Sequence, residues 1–135
     1  MRKLILLLAF FGSLSAISQP FSRKDSLRGD LSLIRTCYDV TFYDLFVLID
    51  EKEKYLDKSY NIIHFTVISD FDKMQIDLAL NMEILIIEFE GVDLKYSREF
   101  DAVYIYFPRL LKKAEQASIK ISYSGYPKQA KNAPW

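Results

Sequence analysis

Tyr38-Asp-Val-Thr-Phe-Tyr-Asp-Leu-Phe-Val-Leu-Ile49 is the stretch on which the fold turns. Tyr38, Val40 and Phe42 fall on one face of an extended chain, whereas Tyr43, Leu45, Val47 and Ile49 fall on the other. A period of two marks a strand. A change of phase within it requires a bulge, or a passage from one sheet to another. A meander with one wet face has no use for such a switch, but two sheets packed face to face do. The stretch predicts a β-sandwich.

The same period recurs on the C-terminal side. Ile63, Phe65 and Val67 mark one strand, and Met74, Ile76 and Leu78 alternate with Gln75 and Asp77 in another. Val103, Ile105 and Phe107 mark a third, with Tyr104 and Tyr106 on its opposite face. Ile119, Ile121 and Tyr123 alternate with Ser118, Lys120 and Ser122 in the last. Met82–Phe89 is more continuously apolar and reads as a strand covered on both faces. Between the strands, 50–57 is charged and turn-like, 69–72 is a connection, and Glu90-Gly91 suits a tight turn. Pro108 is expected to end its strand by removing a ladder donor, 110–117 to form a polar loop, and Gly125 and Pro127 to break the final strand. Phe21–Asp30 is polar and reads as a lead-in that caps or crosses the domain edge. Short, closely spaced strands without a long helix give an all-β fold, a β-sandwich.

The chain has 135 residues, half of them apolar and 15% aromatic, which supplies a core for one domain and excludes a disordered chain. The first residues stand apart. Arg2 and Lys3 precede the apolar run Leu4–Phe11, and small residues at Ala16 and Ser18 place a cleavage before Gln19. That order describes a secretory signal, and the run is shorter than the roughly 20 residues a membrane helix requires. The expected organisation is a signal peptide over 1–18 and a β-sandwich domain over 19–135. The product would be exported, periplasmic or secreted, with no membrane span after signal cleavage. Eighteen Lys and Arg balance eighteen Asp and Glu and are interspersed with them, so no basic surface for nucleic acid is expected.

Side chains capable of chemistry are few. Cys37 is the only cysteine and His64 the only histidine. No intrachain disulfide can form, and Cys37, at the start of an apolar segment, reads as a buried, inert thiol. One histidine cannot build a hydrolytic zinc centre, which needs about three protein ligands and an open position. His64 reads as an ordinary strand residue. Asp70 and Asp72 read as a solvated turn rather than a cation site. Glu88 and Glu90 read as surface residues, and Ser124-Gly125 lacks the flanking pattern of a nucleophile elbow. Tyr104, Tyr106, Tyr123 and Tyr126 would suit carbohydrate stacking if they shared an exposed face, although outer tyrosines more often pack on a neighbour. No catalytic, cofactor-binding or metal-binding residue is assigned.

Three stretches taken together resemble a known family: Arg35–Leu45 (RTCYDVTFYDL), Met74–Leu78 (MQIDL) and Tyr123–Pro127 (YSGYP), followed by Ala133-Pro134-Trp135. They are similar to the amino-terminal domain of aminopeptidase N-type zinc metallopeptidases. The resemblance runs from about Asp25 to Trp135. Asp39-Val40 with Tyr43-Asp44-Leu45 matches the first strand, and Asp77-Leu78 matches a later one. The chain departs from the pattern near Lys58-Ser59, where a glycine is common, and at Cys37, where a larger aromatic is common. The resemblance implies a saddle-like sandwich that packs on the catalytic domain of the same polypeptide and restricts access to peptide amino termini. It also implies that zinc belongs to that later domain. The His-Glu-x-x-His motif does not occur here, so the resemblance implies an inactive scaffold piece cut at Pro134-Trp135. The alternative is a stand-alone secreted sandwich that binds a protein or carbohydrate partner.

Overall fold

The computed structural model describes residues 21–128. The expected signal peptide and Pro134-Trp135 lie outside them. Among the described residues no helix is long and apolar enough to cross a membrane.

Two short helices lead in, α1 (Arg23–Gly29) and α2 (Leu33–Thr36), and nine strands follow. These are β1 (Tyr38–Phe46), β2 (Ile49–Asp50), β3 (Tyr55–Val67), β4 (Phe71–Asp77), β5 (Met82–Phe89), β6 (Val92–Asp93), β7 (Lys95–Glu99), β8 (Ala102–Leu111) and β9 (Gln116–Gly125). The larger sheet runs β1-β3-β9-β5-β6, with β2 also on β3, and the smaller runs β4-β8-β7. Every pairing is antiparallel. The chain changes sheet between β3 and β4, β4 and β5, β6 and β7, and β8 and β9. The two sheets are therefore sewn together, as a sandwich requires.

The core lies between them. Ile63, Phe65, Ile87, Phe89, Ile119 and Ile121 of the larger sheet meet Phe71, Met74, Val103, Ile105, Phe107 and Leu111 of the smaller. Phe107 stands edge-on to both Phe71 (5.5 Å) and Phe89 (5.0 Å), which favours the rings beyond their buried area. Each such side chain contributes about 1.5–3 kcal/mol by leaving water.

The phase change in β1 is a bulge. Tyr38–Val40 pair with Phe65–Val67, and the register slips before Phe42 meets His64. β1 does not pass between sheets, however. It stays at the edge, and Phe42, Tyr43, Leu45, Phe46, Val47, Leu48 and Ile49 are all exposed. β5 is also not covered on both faces. A bulge at Leu85 resets the phase, so that Met82, Ile84, Ile87 and Phe89 all turn inward while Leu85 is exposed. The continuous apolar run is one buried face interrupted by a bulge.

Pro108 does not end β8, which continues to Leu111. It sits where the β4–β8 register slips, between the Tyr106–Lys73 and Leu111–Phe71 pairs, and a bulge tolerates the missing N–H. The expected loop at 110–117 shrinks to 112–115, and the expected turn at 50–57 to 51–54. Glu90-Gly91 forms the tight hairpin its sequence suggests. Both residues have positive φ, and Phe89 pairs with Val92.

The lead-in is more ordered than its polarity suggests. Ser22 and Asp25 form a reciprocal capping box at the start of α1. α1 lies on the outer face of the small sheet. There Leu27 is buried, Arg23 pairs with Glu99 through two contacts of 2.9 and 3.0 Å, and Arg28 reaches Asp101 at 3.2 Å.

Candidate functional site

The larger sheet is wider than the smaller one, and the uncovered part of its inner face forms a cleft. Its volume is about 580 Å³. Val40 and Tyr43 of β1 and Asn61 and Ile63 of β3 form one wall, and Ile76 with Leu78 form the other. At the rim Arg35 donates to both oxygens of Asp77, at 2.8 and 3.2 Å, and to the Leu27 carbonyl at 2.8 Å. The Tyr38 hydroxyl donates to the Gln75 carbonyl across the sheets at 2.7 Å. Burial pushes the Tyr38 phenol up to about 12, against the pull of Arg35, so it remains a donor at neutral pH. Asn61 Oδ1 is buried in the cleft wall without a hydrogen-bond partner.

One loop closes the cleft. Leu78–Asn81 joins β4 to β5, and Arg98 holds it by donating to the carbonyls of Leu78 (2.6 Å), Ala79 (2.6 Å) and Met82 (2.7 Å). Asp101 completes the grip. Its side chain accepts from Leu80 N–H at 2.8 Å, and its backbone carbonyl accepts from Leu78 N–H. The Leu80 amide, followed by Lys24 and Arg28 among other nearby cations, holds the Asp101 carboxyl below the usual range.

The residues singled out from sequence are dispersed. Cys37 is a free thiol, 3% exposed, and burial pushes it up to about 11. A thiol reagent is therefore expected to modify Cys37 only as fast as the domain unfolds, and to do so at once in denaturant, which thiol titration with and without urea measures. His64 lies on the outer face, 3.3 Å from Asp44 and beside Phe42. Asp70 binds Lys112 Nζ and the Lys113 amide, which lower its pKa. Glu88 lies 3.4 Å from Lys120 and Glu90 2.7 Å from Arg109. The Ser124 hydroxyl accepts from Lys58 N–H. The four tyrosines do not form one surface: Tyr104 and Tyr106 flank Lys73, Tyr123 lines the cleft, and Tyr126 packs on Tyr55. Among the described residues no three of His, Cys, Asp and Glu are placed to hold a metal ion. The donor set does not fit a zinc site.

The architecture defines a class, an all-β sandwich whose wider sheet leaves a cleft at one end. Comparison with solved structures goes further, because the chain has the fold of part of an M1 zinc metallopeptidase. An M1 zinc metallopeptidase from Deinococcus radiodurans superposes with a TM-score of 0.62 at 19% identity, over 75% of this chain and 23% of that one. A mutant of an M1 zinc metallopeptidase from the same organism, bound to a Tyr-Ser-Ala substrate, gives 0.61 at 19% identity, over 74% of this chain and 23% of that one. No family model matches the chain, and no curated protein matches it in sequence. The chain covers less than a quarter of the length of these two matched structures.

Proposed function

We propose that the chain is a non-catalytic scaffold domain of an exported M1-type zinc aminopeptidase. In this reading 1–18 is removed on export and 19–135 packs on the catalytic domain of the same polypeptide, where it narrows the approach to peptide amino termini. The observation that carries the reading is the match to M1 zinc metallopeptidases over about three quarters of the chain, joined to a donor set that cannot hold zinc. Zinc and the hydrolytic step belong to the catalytic domain. This domain contributes a wall.

The expected result is that the purified chain, supplied with zinc, releases no chromophore from an aminoacyl reporter above the rate of buffer alone. Zinc-dependent release that co-purifies with the chain to homogeneity would sink the scaffold reading. The exposed apolar residues of β1 also suit the second reading, a stand-alone secreted module with a protein partner. An in-frame His-Glu-x-x-His in the downstream coding sequence distinguishes the two. The separated tyrosines give a carbohydrate partner no continuous stacking face.

A further inference from the structure

β1 is bound on one side only. It ends the larger sheet and pairs with β3, so the backbone groups along its other edge have no strand partner among the described residues. Proteins usually blunt such an edge with lysine, proline or shortness. β1 has nine residues, and between Tyr38 and Glu51 there is no Lys, Arg or Pro. The one irregularity is the bulge before Phe42. Tyr43 and Leu45, near its middle, are 55% and 63% exposed.

The two faces of β1 differ in chemistry. Val40, Tyr43 and Leu45 lie on the inner face, opposite Phe65, Ile63 and Asn61, and Val40 and Tyr43 line the cleft. Asp39 and Asp44 lie on the outer face, opposite Thr66 and Ile62, and share it with the exposed rings of Phe42 and Phe46, opposite His64 and Tyr60. Among the described residues Asp39 has no ion pair, and Asp44 has only His64. An added strand would set one face of its side chains over the cleft and the other beside two carboxylates. We propose that β1 is a strand-addition site for an extended segment of another polypeptide in which apolar residues alternate with Lys or Arg. The main chain supplies the ladder, the cleft takes the apolar side chains, and Asp39 and Asp44 select the cations. A second copy of this chain does not fit that chemistry. Antiparallel pairing of β1 with itself would gather Asp39 and Asp44 of both copies along one seam with no Lys or Arg of β1 between them. The inference does not depend on the scaffold reading, and the peptidase assay does not bear on it.

The test titrates the isotope-labelled chain with a blocked nine-residue peptide alternating valine with lysine. The expected result is shift changes and slowed amide exchange confined to β1 and the cleft walls. Replacing both Asp39→Asn and Asp44→Asn, at exposed positions that take no part in the core, should weaken binding roughly tenfold at low salt, as two lost cross-strand ion pairs predict. Leu45→Lys, which puts a cation on the edge, should abolish it, and the spectrum of each variant checks its fold. Equal binding of a valine–glutamate peptide, perturbations mapping away from β1, no binding, or self-association through β1 in sedimentation would each overturn the proposal.

Discussion

Gly125→Ala is expected to destabilise the domain by about 3–5 kcal/mol, a large part of the roughly 5–15 kcal/mol that holds a domain together. Two independent causes act at this position. The backbone has φ of +151°, a conformation that side chains rarely adopt. An added Cβ would also press on the Asn81 carbonyl oxygen and lie 3.0 Å from Met82 Cα, and backbone atoms cannot swing aside. The position cannot shift alone, because Gly125 pairs with Leu56 on one side and Met82 on the other. Gly91→Ala serves as the control. Its φ is +77°, but a Cβ there meets nothing within 4 Å, so conformational strain alone costs about 1 kcal/mol. Urea unfolding of the two variants measures the difference, and equal midpoints would show that packing at Gly125 contributes nothing.

Gly125 also shows what the sequence reveals and why. Tyr123-Ser-Gly-Tyr-Pro is one of the stretches that carries the family resemblance, and the structure gives its serine and glycine physical roles. Ser124 accepts from Lys58 N–H, and Gly125 lets β5 and β9 close together. The departure near Lys58-Ser59, where glycine is common, falls on a β3 bulge at which Lys58 has φ of +43°. A residue with a Cβ therefore occupies a conformation suited to glycine. The period-two signal located the long strands because alternation is a local property. It failed where burial depends on what the rest of the fold brings near. The apolar residues of Phe42–Ile49 look like core in sequence, yet all are exposed on the edge strand and its continuation, and Phe42 and Phe46 lie on the outer face. The apolar run of β5 looks buried on both faces, yet one bulge makes it one-sided. α1 is hard to read from sequence because its capping box uses Asp25 where Glu or Gln is the familiar signal, and because Leu27 is its only buried residue. The cleft was not legible at all. Arg35 and Asp77 are 42 residues apart, and only the crossings between sheets bring them together.

Arg98→Met is expected to cost about 3 kcal/mol and to loosen the cleft before it unfolds the domain. The side chain is only half-buried, and sequence alone gives it no distinction from other charged strand residues. Its guanidinium nevertheless reaches the carbonyls of Leu78, Ala79, Met82 and Phe100, an array that a planar five-donor fork can satisfy and an ammonium cannot. These carbonyls belong to the β4–β5 connection with the first residue of β5, and to the β7–β8 turn, so one residue ties a crossing between the sheets to a hairpin of the smaller sheet. Methionine keeps the stem's apolar contacts but leaves the carbonyls to find water in a partly enclosed place, which is the costly arrangement. Arg98→Lys should recover part of the loss, because one Nζ cannot bridge all the carbonyls. Arg109→Met is the contrast. Arg109 pairs with Glu90 and Glu115 at the surface, and exposed pairs are worth about 0.5 kcal/mol. Native-state hydrogen exchange reads the mechanism directly. In Arg98→Met the amides of Leu78, Leu80 and Met82 should exchange faster than those of Phe65 and Ile119. A uniform rise across both groups would mean that Arg98 supports the whole sandwich rather than the loop that walls the cleft.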